Sequence, residues 1–136
     1  PITLSIMYMA VAERAGIQVS GVGMPGHFLV KHTGANGDII LDPYLRGIPL
    51  SSNELRQRIQ AFGGETADAA RYLSANTKRQ IITRLLANLK RIHRTSGAHD
   101  AALGAVEIIL AINPWDLDEI RDRGMIQCDR EAFAEH

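Results

Sequence analysis

The sequence predicts an α+β fold in which one buried helix packs on a small antiparallel sheet and an all-helical segment follows. Two observations support this prediction. In the first half, a long apolar run precedes short strand-like runs separated by glycine turns. In the second half, apolar residues recur at helical spacing between glycine and proline turns. A chain of 136 residues with 46% hydrophobic content can bury a core of useful size.

The charge balance argues against several classes of partner. Lys plus Arg (15) equals Asp plus Glu (15), so the composition does not predict nucleic-acid binding or a polybasic membrane segment. No apolar stretch reaches the roughly 20 residues that span a bilayer. The one cysteine, Cys128, cannot form an internal disulfide, which fits a reducing compartment. We therefore expect a cytoplasmic protein without membrane or nucleic-acid partners.

The first helix is predicted from Ile2 to Ala15, where the residues are apolar nearly all round, as in a helix buried on most sides. Pro1 suits the first helical position, and Gly16 suits the left-handed stop. Because the chain begins at Pro1 rather than Met, we also expect that the N-terminal part of this first domain is missing.

Three strands follow, and the last two form a hairpin. A two-residue turn at Asn36-Gly37 would place Asp42 opposite Lys31. A four-residue loop would instead place Asp42 opposite Leu29, which makes His27 its diagonal neighbour on the same face; we prefer this register. The predicted strands and loop are Gln18–Val22, His27–Thr33, Asp38–Leu41 and the loop Gly34–Gly37.

Capping signals predict the remaining helices. Ser51 and Glu54 form a capping box for a helix that ends near Phe62, and a short helix is expected near Ala67–Leu73. Thr77 and Gln80 form a second capping box, heading an apolar stripe from Ile81 to Ile92. The next two helices are predicted to start at Asp100, as a cap, and near Asp116.

The segment from residue 76 resembles a tetratricopeptide repeat, whose period is about 34 residues. Gly97, Ala102 and Pro114 match the repeat pattern, and Gly124 lies 34 residues after Lys90. Lys90 departs from the small residue that the pattern favours. We therefore predict two domains, 1–75 and 76–136, and a protein or peptide partner that binds the helical repeat.

The first half resembles a known family in its residues as well as its order of parts. "PITLSIMYMAVAERAGIQVSGVGMPGHFLVKH" followed by "IILDPY" is similar to the transglutaminase-like domain of the bacterial SirB type, within the papain and transglutaminase superfamily. The resemblance implies a papain-like core with His27 as the catalytic histidine and Asp42 as the orienting carboxylate. It places Pro1 where related sequences have the nucleophilic cysteine.

Proline has no nucleophilic atom, so the resemblance implies a vestigial dyad in a domain that has lost acyl-transfer chemistry and works through protein contacts. The alternative is a cysteine-type amide hydrolase or acyl transferase whose nucleophile lies outside this chain. Thr3 and Ser5 are weak candidates to replace the thiol, because hydroxyls on buried helices usually bond a backbone carbonyl. The histidines lack metal-ligand spacing, so no metal or other cofactor is expected.

Overall fold

A computed structural model describes residues 2–24, 26–62 and 69–134. It confirms the predicted α+β class, with a helix and a four-stranded antiparallel sheet followed by helices. The chain divides into two compact units, residues 1–77 and 78–136. The elements are α1 (Ile2–Arg14), β1 (Val19–Met24), β2 (His27–Gly34), β3 (Gly37–Asp42), a 3₁₀ helix (Pro43–Leu45), β4 (Ile48–Pro49), α2 (Ser52–Ala61), α3 (Ala69–Tyr72), α4 (Lys78–Thr95), α5 (His99–Ile112) and α6 (Leu117–Ala134).

The strands of the sheet lie in chain order, β1-β2-β3-β4. Val30 pairs with Leu41, and continuing this register places Asp42 opposite Leu29, as predicted. Because side chains alternate between the faces of a sheet, His27 and Asp42 lie on the same face.

The turn of the β2–β3 hairpin is tighter than the predicted four-residue loop. Gly34 and Gly37 are themselves a pair in the sheet, which leaves a two-residue turn at 35–36. Gly37 has a φ of +110°, a region that side chains other than hydrogen disfavour. The glycines therefore extend the strands rather than form the loop, while the register stays the same.

One face of the sheet packs on α2. The buried cluster on that face combines apolar residues of the first three strands with Ile59 of α2, and Leu55 packs against its edge. The cluster members from the sheet are Val22, Met24, Leu29 and Ile40. Phe28 and Val30 point to the opposite face and are also buried. Since α1 contacts β1 and β2, we place α1 on that second face.

The capping box predicted for α2 is confirmed. The Ser51 side chain accepts from the Glu54 backbone N–H, and the Glu54 carboxylate accepts from the Ser51 backbone N–H. The hydrogen bond from the Ser51 hydroxyl is the main reason that the pKa of Glu54 lies below its ordinary value. Local capping signals therefore set the start of this helix.

The prediction that α1 is buried on most sides is wrong. Ile2, Ser5 and Ala12 are buried, but a stripe at i, i+3, i+4 and i+7 faces outward. The physical reason is that the sheet covers one side of the helix, whereas the other described residues of this unit cover the stripe only in part, as where Tyr8 lies close to Gly47. The exposed stripe consists of Leu4, Met7, Tyr8 and Val11.

The second unit has its own core. Ala102, Val106 and Leu110 of α5 pack with Ile126 of α6. The predicted stripe on α4 is covered only in part, since Ile81 is buried whereas three later residues are exposed. The exposed α4 residues are Ile82, Leu89 and Ile92.

The starts of α5 and α6 can be compared with the starts predicted from the sequence. The predicted cap at Asp100 is wrong, because α5 begins at His99 after an Ala98 cap that has no side-chain hydrogen bond. Asp100 instead lies in the first turn, where its negative charge favours the helix N-terminus. α6 begins at Leu117, near Asp116 as predicted, and Asp116 Oδ1 accepts from the Glu119 N–H at 3.3 Å.

Lys90, which departs from the repeat pattern, joins α4 to α6. Its Nζ donates to Glu119 Oε1 at 2.7 Å and to Asp122 Oδ2 at 2.6 Å. Burial lowers the pKa of Lys90, but the hydrogen bonds to Asp122 and Glu119 outweigh burial and raise it overall. The same Lys90 hydrogen bond lowers the pKa of Asp122. An ion-paired lysine therefore occupies a position where the repeat pattern favours close packing by a small residue.

Candidate functional site

His27 and Asp42 come together at one end of the sheet. His27 is the first residue of β2, directly after Gly26, which has a φ of +72°. Asp42 is the last residue of β3. His27 Nδ1 lies 3.6 Å from Asp42 Oδ2, which is within ion-pair range and just beyond hydrogen-bond range. The structure therefore brings the two predicted site residues together, and their catalytic roles remain predictions.

The closest charged partner of Asp42 is Arg58 of α2. Arg58 Nη1 donates to Asp42 Oδ2 at 2.7 Å and lies 3.5 Å from His27 Nδ1. The side chain of Asp42 is 2% exposed and that of Arg58 is 19% exposed, whereas that of His27 is 35% exposed. The site is therefore a buried carboxylate held by a guanidinium, with an imidazole beside both and open to solvent.

The second oxygen of Asp42 is also engaged. Asp42 Oδ1 accepts from the backbone N–H of Tyr44 at 3.0 Å and caps the 3₁₀ helix that follows β3. Proline at the first position of that helix, Pro43, fits the backbone there. The carboxylate is therefore oriented by the chain that follows it as well as by Arg58, which restricts its rotation.

Phe62 borders the site on the side of His27. The rings of Phe62 and His27 meet edge to face, with centroids 6.4 Å apart and planes at 77°. A Cβ on Gly26 would lie 2.5 Å from Phe62 Cζ. The left-handed backbone therefore favours glycine at position 26, and any larger side chain there would also force the phenyl ring to move.

The other candidate residues from the sequence do not join His27 and Asp42 among the described contacts. Pro1, the predicted nucleophile position, lies outside the described residues. Ser5 is 0% exposed, and its Oγ donates to the Phe28 carbonyl at 2.8 Å. Cys128 is exposed on α6 in the second unit. In the described ranges, no group of three or more His, Cys, Asp or Glu side chains could hold a metal ion.

Sequence reasoning missed Arg58, although a signal was present. Leu55, Ile59 and Phe62 have the i, i+4 and i+7 spacing of an apolar helix face, and Arg58 falls within that face. A lone cation among core-facing positions indicates a buried anionic partner, since buried charges are nearly always paired. The sequence alone does not tell which carboxylate that partner is.

Comparison with known proteins identifies the family. A family model described as the transglutaminase-like superfamily matches residues 1–87. The chain belongs to the transglutaminase-like superfamily. The match includes His27, Asp42 and Arg58, so the site described above lies within the transglutaminase-like core.

The chain is also similar to several curated proteins. A UPF0162 protein of Xylella fastidiosa (strain 9a5c) is 36% identical over 92% of this chain and 46% of its own length. A UPF0162 protein of Pseudomonas aeruginosa is 30% identical over 84% of the chain and 42% of its own length. F-box only protein 21 of Homo sapiens is 26% identical over 84% of the chain and 19% of its own length.

The chain thus spans about half the length, or less, of the UPF0162 relatives named here. No solved structure matches it significantly. Among the helices of the described residues, none is both long and apolar enough to cross a membrane.

Proposed function

We propose that this transglutaminase-like domain has lost acyl-transfer chemistry and that the chain binds a protein or peptide partner through its helical unit, in a regulatory role. The observation that carries this proposal is the Arg58–Asp42 pair at 2.7 Å. In a catalytic triad, the carboxylate orients and stabilises the histidine. Here Arg58 lies closer to Asp42 than His27 does and compensates the charge of the carboxylate.

The side chains available as nucleophiles also support the loss of acyl-transfer chemistry. The only cysteine of the chain is Cys128, so residues 1–77 contain no thiol. The hydroxyl of Ser5 is fully buried and donates to a carbonyl, so a substrate cannot reach it without local unfolding. Pro1 at the nucleophile position has no atom that could attack an amide.

The helical unit supports a role in binding. Ala102, at a small-residue position of the repeat pattern, is 0% exposed where α5 packs, which is consistent with a tetratricopeptide-like hairpin. Ile82, Leu89 and Ile92 leave an exposed apolar strip on α4, and such strips commonly mark protein contacts. We propose this strip as part of the surface that binds the partner.

A second candidate function rests on the 3.6 Å separation of His27 Nδ1 and Asp42 Oδ2. A thiol supplied from outside this chain could use a histidine held at that place. The chain would then be part of a cysteine-type amide hydrolase or acyl transferase.

Activity assays on the chain test the first part of the proposal. We expect no turnover of a glutamine peptide with a fluorescent primary amine. A thiol-reactive amide probe should label Cys128 alone, so labelling should vanish in Cys128→Ser and persist in His27→Ala. Turnover that His27→Ala abolishes would contradict the proposal and support the enzyme.

The proposed binding surface on α4 can be tested with a peptide ligand. The peptide is selected from a display library against the immobilised chain. We expect Leu89→Asp to weaken its binding at least tenfold and His27→Ala to leave binding unchanged. Retained binding in Leu89→Asp, or lost binding in His27→Ala, would count against the α4 strip.

A further inference from the structure

The outer edge of β1, on the side away from β2, is bound by Asn76 of the segment that precedes α4. We propose that Asn76 protects this edge: its side chain occupies the hydrogen-bonding groups of β1 and prevents β1 from pairing with β1 of a second copy of this chain. The inference concerns the sheet, so it does not depend on the function proposed for the helical unit.

Asn76 binds the middle of β1 through two hydrogen bonds. Its backbone N–H donates to the Gly21 carbonyl at 2.8 Å, and its side-chain Oδ1 accepts from the Gly23 N–H at 2.6 Å. A residue of a parallel neighbouring strand would bind the same two groups with its backbone N–H and its backbone carbonyl. The amide oxygen therefore takes the place of a backbone carbonyl, and Asn76 imitates a single strand residue beside Val22.

The sequence of β1 does not itself prevent strand pairing. β1 lies at one end of the strand order β1-β2-β3-β4, so its outer edge faces no further strand in the described part of the chain. Its sequence, VSGVGM, contains no charged residue and no proline. Charged residues and proline are the residue types that commonly protect an edge strand from pairing with another chain. Protection of β1 therefore depends on residues outside the strand.

The segment that leads to Asn76 is itself fixed beside the sheet. Tyr72 and Leu73 pack against the buried cluster of the first unit, and Lys31 Nζ of β2 donates to the Leu73 carbonyl at 3.0 Å. Because these contacts lie close to Asn76 in the chain, little further conformational entropy is lost when Asn76 binds β1. A partner within the same chain also acts at a high effective concentration. Asn76 can therefore outcompete a second copy of the chain for this edge.

Removing the Asn76 side chain should expose the Gly23 N–H at the centre of the edge. Two copies could then pair their β1 strands antiparallel about a two-fold axis, with the same surface used on both sides. Asn76→Ala keeps the backbone N–H that binds Gly21, so it removes one hydrogen bond and leaves the rest of the segment unchanged. The variant thus isolates the contribution of the amide side chain.

Sedimentation velocity over a wide range of protein concentration tests this proposal on the whole chain. We expect Asn76→Ala to raise the constant for self-association roughly tenfold, the size expected for one hydrogen bond. Amide hydrogen exchange locates the contact. In Asn76→Ala the Gly23 N–H should exchange faster at low concentration and more slowly as the concentration rises, because β1 of the second copy then protects it.

Matched variants separate edge protection from general stability. Asn76→Asp keeps an acceptor oxygen and should associate no more than the unmodified chain. Asn53→Ala, at an exposed position on α2, should change neither measurement. Asn76→Leu, which has a similar shape but no acceptor, provides the same test if circular dichroism shows that Asn76→Ala does not fold.

Two results would overturn the inference. The first is an unchanged association constant in a folded variant whose Gly23 N–H exchanges faster, since the edge would then be open without pairing. The second is stronger association without concentration-dependent protection of β1, since the copies would then meet through another surface.

Discussion

Gly26 shows how a single position can meet two separate physical demands. Its φ of +72° favours glycine, and its missing side chain leaves room for the Phe62 ring. Gly16 has the same φ of +72°, yet no atom lies within 4 Å of the Cβ that alanine would add there. Comparing alanine substitutions at the two glycines therefore separates the energetic cost of backbone strain from that of steric contact.

We predict that Gly26→Ala destabilises the chain more than Gly16→Ala. Each substitution costs about 1–2 kcal/mol for the left-handed backbone, and Gly26→Ala adds a smaller cost, because the half-exposed Phe62 ring must move aside. Urea unfolding followed by circular dichroism measures the difference. In the Phe62→Ala background the extra cost should disappear; if it persists, contact with Phe62 is not its cause.

At the scale of elements, α1 has an inner side and an outer side with different roles. Ser5 is fully buried and donates to the Phe28 carbonyl of β2, which ties the helix to the sheet. Met7, two residues further on, is 60% exposed. The apolar outer side therefore contributes little to the stability of this chain.

We predict that Ser5→Ala lowers the free energy of unfolding by about 1–3 kcal/mol, because the buried Phe28 carbonyl loses a donor. Met7→Gln should change it by less than about 0.5 kcal/mol, as is usual for exposed positions. Denaturant titration of both variants provides the measurement. Equal losses would show that the outer side of α1 is covered in solution.

The ion pairs between α4 and α6 predict a dependence of stability on pH. The pKa of Asp122 is lower in the folded chain than its ordinary value of 3.8. The folded state therefore binds fewer protons than the unfolded state in this range. The stabilisation from the charged Asp122 is therefore fully present above its ordinary pKa. It is lost as the pH falls through the lowered pKa of the folded chain. The pKa of Lys90 is raised, so the stabilisation that the charged Lys90 contributes is lost only in strong alkali.

We predict that Lys90→Met costs about 1–3 kcal/mol at neutral pH, since it removes hydrogen bonds to two carboxylates. It should also reduce the loss of stability between about pH 5 and pH 2. Arg94→Met, which removes an exposed pair with Asp129 at 3.7 Å, should cost less than about 1 kcal/mol. Urea unfolding across this pH range compares the variants, and identical pH profiles would contradict the assignment.

At the scale of the whole molecule, each unit has a core of its own. Leu29 is 0% exposed in the core of the first unit, and Ile126 is 0% exposed in the core of the second. Neither core contains a disulfide, since the chain has a single cysteine. Apolar burial and packing therefore carry most of the stabilisation in both units.

We predict that Leu29→Ala and Ile126→Ala each cost about 2–5 kcal/mol in the unit that contains them, because each leaves a cavity in a packed core. Amide hydrogen exchange resolves the effect residue by residue. Leu29→Ala should speed exchange in β1 to β3, and Ile126→Ala should speed it in α5 and α6. Unchanged exchange in the same unit would contradict the assignment of that residue to the core.

The sequence by itself determined the features that depend on local chemistry. Ser51 and Glu54 specify the start of α2 through their own hydrogen bonds. The alternation of side chains across strands, together with the apolar pattern, placed Asp42 opposite Leu29 and so predicted that His27 lies near it. The resemblance in the first half predicted the family that the comparison then found.

Only the tertiary structure decided which atoms meet across the fold. Arg58 joins the site because α2 packs on the sheet face that carries Asp42, and no local pattern tells which carboxylate a buried arginine will find. The exposure of Met7 likewise depends on how many elements cover α1, whereas the sequence shows only that the residue is apolar. Burial and ion pairing arise between elements distant in sequence, which is why local signals predict the elements but not their contacts.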